Sequence, residues 1–213
     1  MESAHATGLG DCFTIKYNGR AVELKSWVGV SEPFNPKLSS ANPPVVHETE
    51  GIWDTGATNS AITQALAQQI GLQPTGKATV ITADGTTEKP TYIVDLYLLN
   101  KVVVRQVNVV EMGDVQGAQV LIGMDVIAQG DFSITNYKGI TWFSFRVPSL
   151  HQLDYVEDNK AEKRKILRRK FKRNDKVTIV NMRTGEKKTL KYKDARKLLE
   201  EGWKIEGSWR DLI

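Results

Sequence analysis

Apolar and polar residues alternate along much of the chain up to about residue 150, in short runs separated by turn residues. A period of two is typical of β-strands that bury one face. The run CFTIKYNGRAVEL predicts a hairpin around Asn18-Gly19, and KATVITADGTTEKPTYIVDLYLLN predicts a second around Asp84-Gly85. Further strands are predicted at VVVRQVNVVEM, DFSIT and GITWFSF. The pattern therefore predicts a mainly β domain.

Two short stretches have helical features instead. Asn59 or Ser60 is predicted to cap a helix that ends at Gly71, because apolar residues between them recur at helical spacing. The run AQVLIGMDVIAQG predicts a buried strand, Val120 to Ile122, then a glycine and about two helical turns that end at Gly130. Together with the strands, these stretches predict a small barrel-like domain with two short helices.

Charge divides the chain into two parts. Residues 1–159 contain 10 Lys/Arg and 17 Asp/Glu, a balance of −7, whereas residues 160–213 contain 19 Lys/Arg and 8 Asp/Glu, a balance of +11. Such asymmetry indicates a separate module. We therefore expect one domain over 1–155, with the N-terminal hairpin as an extension, and a small basic α+β module over 156–213. A helical or extended basic segment, a hairpin around Thr184-Gly185 and a capped helix make up that module.

Composition argues against several classes of protein. A lone cysteine, Cys12, excludes an internal disulfide, and three scattered histidines do not suggest a zinc site. We therefore expect neither a metal nor a cofactor. No run reaches the roughly 18 apolar residues of a membrane span, and the first residues lack the basic and apolar segments of a signal peptide. A cytoplasmic location without membrane contact is expected.

The stretch GIWDTGATNSAIT, residues 51–63, places an acid, a hydroxyl and a glycine after a buried strand. One interpretation is an ordinary turn, in which the Asp54 side chain accepts hydrogen bonds from nearby backbone N–H groups. Two further motifs favour a different interpretation of Asp54. WDTGATNSAIT, ITADGTT and VLIGMDVI follow one another in an order that resembles the retropepsin-like aspartic proteases.

This resemblance covers about residues 45–145 and is closer to the bacterial and cellular branch than to the viral enzymes. It implies a closed acid-protease barrel and an aspartic endopeptidase. Asp54 would supply a catalytic carboxylate, Thr55 would lock the opposing loop through its hydroxyl, and Gly56 would let the backbone approach the carboxylate. Aspartic hydrolysis needs two such carboxylates sharing one proton, because two like charges about 3 Å apart cannot both ionise.

Substrate contacts follow from the same resemblance. A peptide lying across the carboxylates would bond to the tip of the second hairpin, the flap, at Ala83, Asp84 and Gly85. Ala57 and Asn59, beside the catalytic turn, complete the predicted binding set. An ordinary exposed hairpin remains the alternative for the tip.

The chain contains one Asp-Thr-Gly, and it has no Asp-Ser-Gly. The second carboxylate is therefore expected from another copy, in a symmetric homodimer with half of the active site in each chain. Asp125 is interpreted as a residue at the start of a short helix, where its negative charge interacts favourably with the helix dipole.

Two other functions stay open. The fold could serve as a catalytically silent dimerisation or peptide-binding module, or the chain could act on nucleic acid or ribosomes through its basic tail. Lys and Arg are dense within residues 160–197, which could attract an acidic or nucleic-acid partner or form a solvated face.

Overall fold

The computed structural model describes residues 10–35, 37, 42–82, 85–113 and 117–207. They divide into two compact units, Met1–His151 and Gln152–Ile213. In the first unit, alternating burial produces short strands with two α-helices and two 3-10 turns between them. These elements are β1 (Asp11–Lys16), β2 (Leu24–Ser31), β3 (His47–Trp53), β4 (Ala61–Thr63), α1 (Gln64–Ile70), β5 (Gly76–Thr82), β6 (Gly85–Tyr97), a 3-10 turn (Leu99–Lys101), β7 (Val103–Met112), β8 (Val120–Ile122), α2 (Met124–Ile127), β9 (Asp131–Thr135), a 3-10 turn (Tyr137–Gly139) and β10 (Trp142–Val147).

Six strands close into a barrel. They are hydrogen-bonded in the order β2-β3-β8-β4-β7-β6, and β6 returns to β2 through the pairs Gly29 with Tyr97 and Ser31 with Asp95. Inward-facing aliphatic side chains fill the barrel and are almost fully buried: Val28, Val30, Ile62, Val94, Leu96, Val109, Val120 and Ile122. The predicted mainly β fold with a small closed barrel is confirmed.

The predicted hairpin at Asn18-Gly19 is wrong. β1 does not pair with β2 but runs antiparallel to β10, in a separate sheet of order β1-β10-β9. Gly19 does turn the chain, with φ at +122°. Its carbonyl accepts from the N–H of Thr141, next to β10, at 2.9 Å. β1 is held in this sheet because Phe13, 3% exposed, lies among the buried aromatic rings that β10 contributes.

Both helices differ in extent from the prediction. Ala61–Thr63 is a strand that pairs with β7 and β8, so α1 begins three residues later than a cap at Ser60 would require. Thr63 is the N-cap, and its Oγ1 accepts from Leu66 N at 3.3 Å. Gly71 ends the helix in the left-handed region, as predicted. α2 has four residues, fewer than the two turns expected.

The second unit is a small α+β module. It comprises α3 (Tyr155–Lys170), β11 (Lys176–Val180), β12 (Lys187–Lys191), α4 (Tyr192–Glu200) and β13 (Lys204–Ile205). β11 and β12 form the predicted hairpin, in which Gly185 takes a positive φ of +74°. The module has its own core, which consists of Val177, Ile179, Tyr192, Ala195 and Ile205. Among the described residues of either unit, no helix combines the length and apolarity needed to cross a membrane.

Candidate active site

Asp54 directly follows β3, whose end is firmly held. β3 runs parallel to β8 with Trp53 beside Ile122, and the N–H of Asp54 donates to the carbonyl of Ile122 at 2.9 Å. The indole of Trp53 packs 5.0 Å, centroid to centroid, from the rings of both Phe143 and Phe145. Strand pairing and aromatic packing thus fix the point from which the Asp54 side chain projects.

A tight turn orients the Asp54 carboxylate. Gly56 N–H donates to Oδ1 of Asp54 at 2.8 Å, and Ala57 N–H donates to the Asp54 carbonyl at 3.3 Å. A Cβ on Gly56 would lie 3.2 Å from that Oδ1, closer than most side chains tolerate. Asp54 and Ala57 are half-buried, whereas Thr55 and Gly56 are exposed. The carboxylate is therefore held by its own loop, and the tip of the turn is open to solvent.

Ser60 and Asp125 clamp the turn to the start of α2. The buried Ser60 donates its Oγ–H to Oδ1 of Asp125 at 2.7 Å and its N–H to Oδ2 at 3.0 Å. The same Ser60 Oγ accepts from Gly123 N at 3.0 Å. Asp125 does lie in the first turn of α2, but both of its oxygens are engaged by Ser60. The local pattern around Ser60 indicates only a candidate helix cap, because its partner Asp125 lies 65 residues further along the chain.

The backbone of Gly123 passes very close to the predicted catalytic loop. Met124 N–H donates to the Ala57 carbonyl at 2.8 Å, and Asp125 N–H donates to the Thr58 carbonyl at 3.1 Å. A Cβ on Gly123 would lie 2.6 Å from the carbonyl carbon of Asn59. Glycine is required here by contact, since its φ of −94° is open to any residue. The structure thus brings Ala57 and Asn59 beside the Asp54 turn, with Asn59 exposed.

The second hairpin is formed as predicted. β5 and β6 pair antiparallel from Gly76 with Thr91 to Thr82 with Gly85, and β6 joins the barrel only from Thr91 onward. The hairpin therefore extends beyond the barrel. Gly85 is exposed and has a φ of +131°, a conformation that glycine favours. Ala83 and Asp84, the other predicted flap residues, lie outside the described residues.

The first unit also contains a shallow cavity of about 550 Å³, away from this turn. It is lined by Trp27, Glu48, Thr49, Glu50, Thr63, Gly117, Ala118 and Gln119, and Asp54 is not among these residues.

In the part of the chain that the structure describes, no group of three or more His, Cys, Asp or Glu is arranged to hold a metal ion. Away from any such group, Asp54 is an oriented carboxyl group at an open turn.

Comparison with known families supports the motif analysis. Residues 47–129 match the family described as gag-polyprotein putative aspartyl protease. The matched segment runs from the start of β3 to just beyond α2, so it contains all three motifs on which the resemblance to retropepsin-like aspartic proteases rests. That resemblance is confirmed. No curated protein matches the chain by sequence.

Comparison with solved structures also gives matches. A retropepsin-like aspartic protease from Rickettsia conorii is 14% identical, with a TM-score of 0.39, and the match covers 67% of this chain and 98% of that one. The Simian Foamy Virus (mac) protease is 12% identical, with a TM-score of 0.33 and coverage of 49% and 92%. The retroviral protease-like domain of Ddi1 from Leishmania major is 15% identical, with a TM-score of 0.32 and coverage of 61% and 96%.

Proposed function

Residues 47–129 carry the signature of the retropepsin-like aspartic proteases, and from this premise we propose that the protein is an aspartic endopeptidase active as a homodimer. Each chain supplies one Asp54, and the two carboxylates form the catalytic dyad. The observation that carries the proposal is the turn at the end of β3. There, a strand fixed by aromatic packing presents an oriented carboxylate at an exposed tip.

The chemistry is hydrolysis of a peptide bond. One ionised Asp54 takes a proton from water, whose oxygen attacks the carbonyl carbon, while the protonated Asp54 of the partner subunit donates its proton to the carbonyl oxygen. The carbon–nitrogen bond then breaks as the first carboxyl group gives its proton to the leaving amine, while the partner's Asp54 takes back a proton from a hydroxyl of the tetrahedral intermediate. Gly56 N–H holds the carboxylate in place during these transfers, and Thr55 bonds across to the partner loop. The flap residue Gly85 and the loop residues Ala57 and Asn59 contact the peptide.

Two features support the assignment of the second carboxylate to a partner subunit. The sequence has one Asp-Thr-Gly. The other carboxylate joined to this loop, Asp125, has both oxygens engaged by the backbone and hydroxyl of Ser60. Releasing Asp125 for catalysis would leave buried polar groups of Ser60 unpaired, at a cost of about 1–3 kcal/mol. A second Asp54 related by a two-fold axis needs no such rearrangement.

The direct test is cleavage of a peptide library by pure protein and by Asp54→Asn, with Asp11→Asn as a control. Asp11 is an exposed carboxylate at the start of β1, so its replacement makes the same charge change away from the turn. We expect turnover to be lost in the first variant only, with folding unchanged in both. A silent binding module would cleave nothing in any form, and undiminished cleavage by Asp54→Asn would remove the motif from the mechanism.

A mixing experiment tests the shared dyad. With excess Asp54→Asn protein and demonstrated subunit exchange, most wild-type chains enter heterodimers with a single ionisable Asp54. Activity per wild-type chain should then fall steeply, and dilution of the wild type alone should lower its specific activity. Activity that tracks wild-type concentration alone would place the second carboxylate within the same chain.

A further inference from the structure

The three-stranded sheet of the second unit, of order β12-β11-β13, has one covered face. Val177, Ile179 and Ile205 point from it into the core, where they meet α4 and the end of α3. Residues alternate across a strand, so the neighbours of these three point the other way. The hydrogen bond between the hydroxyls of Thr178 and Thr189, 3.0 Å long, marks this second face, which no described helix covers.

Lysines dominate this open face. Lys176 and Lys191 are directly opposite each other in the β11–β12 register, both exposed. Lys187 lies further along β12, and Lys204 lies on β13 beside Val180. Like charges directly opposite in a sheet destabilise it. The pairing of Lys176 with Lys191 therefore does not contribute to the stability of the fold. An anion bound between the two ammonium groups would make the pairing favourable.

Internal ion pairs do not neutralise the patch. Glu206 is the carboxylate on this face, and its side chain is paired with Lys187. Within the described residues, Lys176, Lys191 and Lys204 have no carboxylate close enough for an ion pair. The second unit as a whole contains 19 Lys/Arg and 11 Asp/Glu. The open face thus presents three available ammonium groups with two threonine hydroxyls between them.

We propose that this open face, defined by Lys176, Thr178, Thr189, Lys191 and Lys204, binds the phosphate backbone of nucleic acid. Ammonium and hydroxyl groups are the donors that contact backbone phosphates, and such contacts carry no base sequence information. Val180 is the apolar residue of the face and is half-buried, so the face itself offers little apolar surface for insertion into a membrane. The affinity for nucleic acid therefore depends on salt concentration and does not depend on the base sequence.

The test uses the full chain and a labelled 20-nucleotide single-stranded RNA, with affinity measured by anisotropy from 50 to 200 mM salt. Lys176→Gln with Lys191→Gln removes two phosphate contacts. The slope of log affinity against log salt should then become shallower by about 1.4, because each contact on a single strand contributes about 0.7. Over this salt range, the wild type should lose about sevenfold more affinity than the double variant. The unfolding midpoint of the double variant should equal or exceed that of the wild type, because the repulsion between Lys176 and Lys191 is removed.

Lys89→Gln with Lys138→Gln is the matched control, since it makes the same charge change in the first unit. An equal loss of affinity in this control would overturn the proposal, as would absence of RNA binding by the wild type at 50 mM salt. So would equal affinity for polyglutamate or for phosphatidylserine vesicles. If the double variant is destabilised, Lys204→Gln alone provides the test, with a slope change of about 0.7 expected.

Discussion

Replacing Gly123 by alanine tests whether the loop that passes behind the Asp54 turn sets its geometry. The new methyl carbon would lie 2.6 Å from the carbonyl carbon and 2.7 Å from the carbonyl oxygen of Asn59, and 3.0 Å from the Ala57 oxygen. All three neighbours are backbone atoms, so no side chain can rotate away to make room. Gly123 itself has an ordinary φ of −94°, so the substitution adds no backbone strain of its own.

The size of the effect follows from these distances. Ordinary contact begins near 3.4 Å and the nearest Asn59 atom lies at 2.6 Å, so the Asn59 backbone must retreat by about 0.8 Å. Overpacking of this kind costs about 1–3 kcal/mol in the free energy of unfolding. The displaced segment follows Asp54 by five residues, and a misplacement of about 1 Å at a reacting group can lower the rate about 100-fold. We expect Gly123→Ala to fold, with reduced stability and a kcat reduced by up to that factor.

The assay pairs urea unfolding, followed by tryptophan fluorescence, with cleavage of the best library peptide. Gly113→Ala is the matched control, because a Cβ there meets no atom of the described residues within 4 Å and its φ lies outside the positive region. The control should keep wild-type stability and rate. If Gly123→Ala also keeps wild-type stability and cleavage rate, or if both variants lose them to the same extent, the close approach at Gly123 does not position the turn.

Three further predictions concern the first unit. Hydrogen bonds from Ser149 and then Arg146 hold the pKa of Asp131 well below its usual range, so its stabilising effect is present above the unfolded pKa near 3.9 and fades as pH falls further. Asp131→Asn should therefore lower the urea midpoint at pH 7, and the difference from wild type should shrink by pH 2; a constant difference contradicts this. Thr63→Ala should cost about 0.5–2 kcal/mol of unfolding free energy through loss of the α1 cap, and an unchanged midpoint would show that this cap contributes nothing. Gly85→Val should raise KM more than it lowers kcat, because valine resists the φ of +131°; unchanged kinetics would mean that the hairpin is not a flap.

Local pattern predicted the elements whose signals lie within a few residues. The β5–β6 and β11–β12 hairpins were predicted from turn residues between alternating runs, and each forms as a hairpin. The end of α1 at Gly71 follows from glycine's freedom at positive φ. The motif around Asp54 was likewise readable because strand, acid, hydroxyl and glycine are contiguous.

Long-range contacts decided the features that the sequence did not predict. Asn18-Gly19 indicated a turn correctly but could not say that β1 would join β10, about 130 residues away, in preference to its neighbour β2. The start of α1 was displaced because Ala61–Thr63 is recruited as a strand between β7 and β8. The bond between Ser60 and Asp125 has no local signature at all, since each residue is also an ordinary helix-start residue.

The pairing of β1 with β10 has a mechanical consequence. Asp11 is opposite Val147, so tension applied at these two positions loads the same end of the ladder. The antiparallel hydrogen bonds would then open a few at a time, as in a zipper, and would not resist together. Loss of β1 withdraws Phe13 from its contact with Trp53, the residue before Asp54. Force applied to the N-terminal segment would thus remove the packing of Phe13 on Trp53, which supports the Asp54 turn, before it separates the strands of the closed barrel.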